Sequence, residues 1–235
     1  MAWTFTGRKA TQTGSGVGSL NVTLNGTAAG SLIVVAASVW NGGGGVTGIS
    51  VSDNVNGAYT ESFRAHDGVQ DASLHYYPNN AGGNLTVTVN PAAGTDNYDL
   101  WIAVAEFAGG DTASPASGTP ATNTRGGGTN TATLSTAGPM TPADNDVLVI
   151  AVDGHVTAGT ISENAGAEGF TLLDENESGA SAEPGGWVYK IISGAPGTPS
   201  HSWTIPGSTE SACGIAAFKP GVAGDPSPFA CSIGM

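Results

Sequence analysis

The side chains best suited to chemistry in this sequence are four histidines and a carboxylate near one of them: His66, His75, His155, His201 and Asp153. Asp153 and His155 are two positions apart on an apolar segment, and alternate residues of a strand share one face. A carboxylate could therefore orient an imidazole, as acid–base catalysis requires. Neither a serine nor a cysteine occupies a G-x-S-x-G turn, and the histidines lack metal-site spacing. The sequence thus predicts a polar pair at a strand end, facing water.

Glu106 lies near the end of another apolar segment, residues 100–107, and is a second candidate for acid–base chemistry. Glycoside hydrolysis needs two carboxyl groups, and no second carboxylate is tied to Glu106 by spacing. The corresponding position in a later, similar segment is Ala217. We therefore expect a polar residue at a strand end, and a hydrolase ranks last among the functions considered.

Two acidic segments, residues 53–57 and 174–177, could place several oxygen ligands around a calcium ion. The ligand spacing of an EF-hand is missing from both, and Asn56-Gly57 is typical of a tight hairpin turn. Residues 42–45 are all glycine but lack the Lys and Ser or Thr of a phosphate-binding loop. The sequence therefore predicts turns and solvated loops here, with no catalytic residue, no metal site and no cofactor.

Three aromatic residues, Trp40, Tyr77 and Trp187, are candidates for a sugar-facing platform. Together with most other large aromatics they fall inside predicted strands, which favours packing in the core. A carbohydrate site on these three side chains is kept as the alternative to core packing.

These residues must be positioned by strands, and two apolar runs dominate the pattern: residues 31–40 and 146–155. Both are rich in β-branched residues and lack polar alternation, which predicts strands buried on both faces. Later segments echo one another in the same order, such as residues 73–77 with 186–190 and 103–107 with 214–218. The sequence therefore predicts one strand pattern that occurs twice, with Ser31 aligned to Asp146.

The composition indicates an all-β protein, because 37 glycines and only 11% charged residues leave no window with helical periodicity. We expect a jelly-roll-like β-sandwich with internal pseudo-two-fold duplication, in which both halves contribute strands to the same two sheets. The predicted divisions are a first half (1–108), a connecting loop (109–128), a second half (129–220) and a C-terminal anchoring tail (221–235). Two small immunoglobulin-like sandwiches joined by the loop are the alternative.

The charge balance restricts the partners. The formal net charge is −13, with 6 basic residues, and nucleic-acid binding depends on neutralising phosphates, so it is not expected. No apolar stretch approaches the roughly 20 residues that span a bilayer. The N-terminal residues show no secretory signal pattern, which predicts synthesis in a cytoplasm. Cys213 and Cys231 fit a buried thiol and a tail thiol, although a disulfide stays open.

The segment from Gly221 to Met235 carries apolar side chains that a solvated tail would not need. They are expected to pack against the same chain or a neighbour, as a docking tail formed by Phe229, Cys231, Ile233 and Met235.

Three short motifs carry a resemblance: SDNVNGAYT ending at Thr60, EFAG at Glu106 and AFKP ending at Pro220. They resemble the D-x-x-G-N-x-Y-T turn and the E-[YF]-x-G and A-[LF]-K-P strands of a β-sandwich found in bacteriophage structural proteins and bacterial surface proteins. The resemblance covers most of residues 15–220 and departs at residues 54–57, where the Gly-Asn order is inverted.

The resemblance implies an attachment module and carries over no catalytic residue. The expected function is a non-enzymatic virion structural protein, a bacteriophage capsid decoration or tail-associated protein that docks onto a repeating assembly. Its expected partners are capsid or tail subunits and further copies of itself. The alternative is a carbohydrate-binding or adhesin module that contacts host glycans from a virion or cell surface.

Overall fold

The computed structural model describes residues 2–41, 46–92, 98–125, 139–155, 168–176, 184–204 and 210–221, together with the backbone of 133–135 and 162–163. Seventeen strands lie within these ranges. They are β1 (Thr4–Val17), β2 (Leu20–Thr27), β3 (Leu32–Trp40), β4 (Gly48–Asp53), β5 (Gly57–Ala58), β6 (Thr60–His66), β7 (Gln70–Tyr77), β8 (Gly83–Ala92), β9 (Tyr98–Ala108), β10 (Ala121–Arg125), β11 (Thr133–Ser135), β12 (Leu148–His155), β13 (Ser162–Glu163), β14 (Thr171–Asn176), β15 (Gly185–Ile191), β16 (Ser202–Thr204) and β17 (Ser211–Phe218).

The strands form four antiparallel sheets. The first large sheet has the order β1-β9-β3-β7-β6 and the first small sheet β2-β8-β4-β5. The second large sheet has the order β10-β17-β12-β15-β14 and the second small sheet β11-β16-β13. Most successive strands change between a large and a small sheet, as in a jelly roll, whereas β4–β5, β6–β7 and β14–β15 each stay within one sheet. The predicted all-β, jelly-roll-like fold class is therefore confirmed, and we call β1–β9 the first roll and β10–β17 the second roll.

The arrangement of the two rolls differs from the expected one. Every described sheet takes its strands from one roll, so the prediction of sheets shared by both halves is wrong. Residues 121–125 also lie within the predicted connecting loop yet form β10, because they pair along the free edge of β17. The chain before β10 follows β17 as well, through bridges from Gly110 to Pro220 and from Ala116 to Phe218.

Three layers of apolar side chains hold the four sheets in a stack. Val35, Val87 and Val104 belong to the core inside the first roll, whereas Val149 and Ile215 belong to the core inside the second. The third core lies between the two large sheets and includes side chains from both rolls: Phe63, Trp101, Phe107, Ile150, Trp187 and Phe218. A large sheet therefore has no wet face. This explains why β3 and β12 are buried on both faces, as predicted.

The pairing registers show which residues of the two rolls correspond. In the first roll Leu32 pairs with Phe107, and in the second Leu148 pairs with Phe218. Leu32 therefore corresponds to Leu148, one position later than the sequence alignment places it. A slip of one residue moves every side chain of a strand to the other face, so the difference changes which residues point inward.

The interface between the large sheets is unequal. Three glycines of the second roll lie where an added Cβ would contact first-roll atoms at less than 3 Å: Gly154 beside Ser38, Gly185 beside Trp101 and Gly214 beside Phe63. The corresponding first-roll residues, read from the registers, are Ser38, Ala72 and Ala103. At these three positions the second roll leaves the space that the first-roll side chains fill, whereas elsewhere in the interface the second roll supplies large side chains such as Trp187 and Phe218.

Candidate functional site

Glu106 is fully buried and both of its carboxylate oxygens accept hydrogen bonds. Thr6 Oγ1 and Arg8 Nη1 donate to Oε2 over 2.8 and 2.9 Å, and the Ala28 N–H donates to Oε1 over 2.5 Å. Burial alone would raise the pKa of Glu106, but the bonds from Ala28, Thr6, Ser31 and Arg8 outweigh it and lower the pKa. The predicted strand-end residue is thus a buried anchor that ties β1 and residues 28–31 to β9.

Asp53 organises the turn after β4. Its Oδ1 accepts the N–H groups of Val55 and Asn56, and its Oδ2 accepts the Asn56 amide and the Tyr59 hydroxyl. Burial raises the pKa of Asp53, yet these hydrogen bonds lower it overall. A calcium ion would have to displace these donors. In the described part of the chain, no three His, Cys, Asp or Glu side chains form a group that could hold a metal.

The turn is joined to Glu106 through a buried asparagine. Asn80 is 1% exposed and accepts the Asn56 amide at 2.9 Å, while its own amide donates to Thr27 Oγ1 and the Ala28 carbonyl. The network therefore runs from Asp53 to the same residues that Glu106 holds. The second predicted acidic segment is only partly described: Asp174 lies 3.8 Å from Lys9 Nζ, and residue 177 is outside the described ranges.

Asp153 and His155 form the predicted pair, but inside the protein. Asp153 Oδ2 lies 3.0 Å from His155 Nδ1, and both side chains are fully buried. The expectation that they face water is wrong. Odd-numbered residues of β12, such as Val149 and Ala151, point into the second roll, and Asp153 and His155 continue that row.

The strand β17 brings two more reactive side chains beside this pair. Ser211 is the register partner of His155, and Cys213 is the register partner of Asp153. Burial and the charge of Asp153 raise the pKa of the Cys213 thiol, so it stays protonated. The sequence reading missed this group because the four residues come from distant segments. Placing Leu148 opposite Phe218 would have revealed it.

Two aromatic side chains reach the same interior, from Trp203 on β16 and from His201 directly before it. His201 and Trp203 meet edge to face with ring centroids 4.3 Å apart, and His201 Nδ1 lies 2.6 Å from Glu168 Oε2. Burial lowers the pKa of His201 more than Glu168 and Asp153 raise it. The imidazole is therefore held neutral.

The first roll has its own buried polar group at the end of β7. Asp71 is fully buried, with Arg64 Nη1 at 3.3 Å and His66 Nδ1 at 3.0 Å. Burial raises the pKa of Asp71 more than the two basic neighbours lower it. Arg64 also donates to the Val46 carbonyl, so this group holds the chain directly after residues 42–45.

The predicted sugar-facing aromatics do not form one platform. Trp187 is fully buried between the large sheets, so the prediction is wrong for this residue. Trp40 and Tyr77 are partly exposed, and Tyr77 packs against Tyr59 with ring centroids 5.6 Å apart.

The predicted docking tail lies outside the described residues, as do Cys231 and residues 42–45. The last described residue, Gly221, donates its N–H to the Gly109 carbonyl at 2.8 Å. Cys213 is buried, as predicted. None of the helical residues in the described ranges forms a segment long and apolar enough to span a membrane.

The architecture defines a class, an all-β chain of two stacked jelly rolls. No protein-family model matches the sequence, and no curated protein matches it. Among solved structures the chain is similar to the STIV MCP, with 6% identity, 90% of this chain and 97% of that chain covered and a TM-score of 0.30. It is also similar to the major capsid protein P2 from bacteriophage PM2, with 9% identity, 92% and 99% coverage and a TM-score of 0.25. A salicylate 1,2-dioxygenase from Pseudaminobacter salicylatoxidans gives 11% identity, 88% and 70% coverage and a TM-score of 0.27. At these scores none of the likenesses carries an argument about function.

Proposed function

We propose that this chain is a non-enzymatic virion structural protein, a capsid decoration or tail-associated protein that docks onto a repeating assembly. The observation that carries the proposal is the role of the residues in the resemblance motifs. Asp53 and Glu106, the two motif carboxylates, are filled by hydrogen bonds from their own roll. Their chemistry therefore serves rigidity, as an architectural module requires.

The stacked sheets also offer surfaces for docking. Among the strands that the structure describes, each large sheet ends in strands that pair on one side only, β1 and β6 in the first roll and β10 and β14 in the second. Open strand edges present N–H and C=O groups to a partner. The net charge of −13 makes like copies repel, so docking needs apolar anchors. Phe229, Cys231, Ile233 and Met235 supply them in this proposal, and the partners are capsid or tail subunits and further copies of the chain.

Mass spectrometry of purified virus particles from cells that express the chain tests the virion role. Peptides of the chain should sediment with the particle peak and resist a high-salt wash. Complete, infectious particles that lack these peptides would reject the proposal.

A binding assay then tests the tail. A variant with Phe229→Ser, Ile233→Ser and Met235→Ser should lose at least tenfold in co-sedimentation with particles from which the chain has been stripped. Val55→Ser is the matched control, because Val55 is an apolar side chain 44% exposed on a hairpin of the first roll. Equal binding of both variants would remove the tail from the mechanism.

A further inference from the structure

The outer face of the first small sheet is polar and uncharged. In β2, β4 and β8 alternate side chains are buried in the core of the first roll, so the residues between them point outward. No Asp, Glu, Lys, Arg or His occurs between Lys9 and Asp53 or between His75 and Asp96. Thr88 is partly exposed, and the other polar residues of this face are exposed. We call these residues the hydroxyl–amide face: Asn21, Thr23, Asn25, Ser50, Ser52, Asn84, Thr86, Thr88 and Asn90.

The pairing registers arrange these side chains in rows across the strands. Asn21, Thr88 and Ser52 form one row, and Thr23 and Thr86 form the next. Neighbours within a row are about 4.8 Å apart, and successive rows are about 6.7 Å apart along the strands. Because the opposite side of each strand is fixed in the core, the face is a rigid, repeating grid of hydroxyl and amide groups.

Most of these side chains have hydrogen-bonding capacity to spare. Within the described ranges, the face uses two of its side chains in hydrogen bonds: Asn84 accepts the Gly26 N–H at 2.9 Å, and Ser50 donates to the Asn90 carbonyl at 3.1 Å. Amides carry both donors and acceptors, and a hydroxyl group is both. The grid therefore offers donors and acceptors together at each position.

The charged groups at the border of the face are engaged within the chain. Arg8, on the adjacent β1, is paired with Glu106 at 2.9 Å. Asp53, at the end of β4, accepts its hydrogen bonds from its own turn. By contrast, β1 and β6 expose the charges of Lys9 and Glu61. A charged partner would find no opposite charge on the face, so recognition there rests on neutral hydrogen bonds.

This chemistry selects the partner. Protein interfaces depend on aromatic residues, Met and Arg, whereas Ser and Thr are poor contributors, so the face is unsuited to a second copy or another protein. Sugar hydroxyls both donate and accept, which matches the grid. Each exposed hydrogen bond is weak, but a repeating polymer can contact several rows at once. We propose that the hydroxyl–amide face binds the chain of a neutral polysaccharide.

Co-sedimentation of the full chain with insoluble neutral polysaccharides tests the face. Cellulose, chitin, starch and β-1,3-glucan are the probes, and at least one of them should retain the parent chain. A Thr23→Val, Thr86→Val, Thr88→Val variant removes three hydroxyls and keeps the branched shape that suits a strand. Its affinity for the retained probe should fall at least tenfold. Absence of binding of the parent chain to all the probes would overturn the proposal.

The matched control makes the same change at exposed threonines outside the face, Thr4→Val, Thr124→Val and Thr171→Val. This variant should bind the probe as the parent does. Both variants are checked by circular dichroism before binding is measured. Equal affinity of the two variants would refute the face as the site. Self-association of the parent that is lost in the face variant and kept in the control would assign the face to a second copy instead.

A measurement on the parent chain alone does not depend on how the variants fold. Because the face carries no charge, its affinity for the probe should be unchanged when NaCl is raised to about 0.5 M. A tenfold fall would place the contact on charged residues elsewhere and reject the proposal. The virion role is separate, because a chain absent from virus particles would still bind the probe.

Discussion

The two rolls share a strand order but divide their chemistry in opposite ways. The interior of the first roll is largely aliphatic, although Glu106 and His75 are buried in it, and Phe63 and Trp101 point outward across the interface. The second roll receives them over Gly214 and Gly185 and keeps polar groups inside. The second roll therefore has less hydrocarbon than the first at Gly185 and Gly214 in the interface and at Asp153 in its interior, whereas Trp187 and Phe218 still pack in the interface.

The loop between β2 and β3 shows a second difference between the rolls. In the first roll, Glu106 holds the residues between β2 and β3 through the Ala28 N–H. In the first roll Ile33 pairs with Glu106. In the second roll the corresponding residue, Val149, pairs with Ala217. A network of buried hydrogen bonds thus stabilises one roll and has no counterpart at the corresponding position of the other. The comparison predicts that the larger losses of stability come from first-roll substitutions.

The largest loss is expected from Phe63→Ala. Phe63 is 5% exposed, and its ring fills the space over Gly214. Deleting a buried aromatic ring costs about 3–5 kcal/mol, so we expect the free energy of unfolding to fall by about 4 kcal/mol in urea titrations. Val55→Ala, on an exposed hairpin, should change it by less than about 0.5 kcal/mol. A loss for Phe63→Ala as small as that of the control would mean that the two rolls do not pack through this ring.

The next largest loss is expected from Glu106→Ala, at about 3 kcal/mol. The change removes the carboxylate that accepts hydrogen bonds from Thr6, Arg8 and the Ala28 N–H. Glu106→Gln keeps an acceptor for Ala28 and should lose about half as much. Exposed Glu61→Ala is the control for charge alone. If Glu106→Gln and Glu106→Ala are equally destabilised, the charge and not the hydrogen bonding is what matters.

The sequence predicted the strands that are most apolar and missed how the sheets meet. The runs around Val35 and Ile150 are buried on both faces, as their lack of polar alternation indicated. That pattern does not reveal whether the second face packs on the same roll or on another one. Sheets shared between halves and stacked rolls satisfy it equally, so the wrong arrangement was favoured.

The site was harder to predict than the fold. Asp153 and His155 were recognised as a pair, but a polar residue near the end of a strand usually faces water. Their burial follows from Ser211 and Cys213 on the neighbouring strand, and that contact depends on a pairing register. The one-residue error in aligning β3 with β12 pointed the wrong face inward, so no residue-by-residue comparison of the interiors was available from sequence.

A smaller loss, about 2 kcal/mol, is expected from Gly214→Ala. The new Cβ would lie 2.3 Å from the Phe63 ring, and overpacking of a core typically costs about 1–3 kcal/mol. Gly48→Ala is the matched control, because the nearest atom to its added Cβ is 3.9 Å away. Phe63→Leu should restore part of the stability of Gly214→Ala. Additive losses in the double variant would show that the two residues are not in contact.

The smallest effect that the comparison predicts concerns pH. Burial lowers the pKa of His75 to about 4, and the residue that corresponds to it in the second roll is Val188. Between pH 7 and 5 the unfolded chain takes up a proton that the folded chain refuses, so stability falls as the pH falls. For an ordinary pKa of 6.5, this loss is about 1.8 kcal/mol.

The His75→Val variant has the residue that the second roll has at this position, and it should not lose stability between pH 7 and 5 through this group. Its stability at pH 7 is measured separately. Folding lowers the pKa values of Glu106 and Asp53. These carboxylates therefore stabilise the folded state above their ordinary pKa values, and this stabilisation is lost as the pH falls through their pKa values in the folded chain. Both lowered pKa values lie below pH 5, and both carboxylates are present in the parent and in the His75→Val variant. The difference between the urea-derived losses of the parent and the variant therefore reports His75 alone. If the stability of the parent and of the variant changes equally with pH, His75 takes up its proton in the folded chain. The interior of the first roll would then be more polar than the comparison of the two rolls assumes.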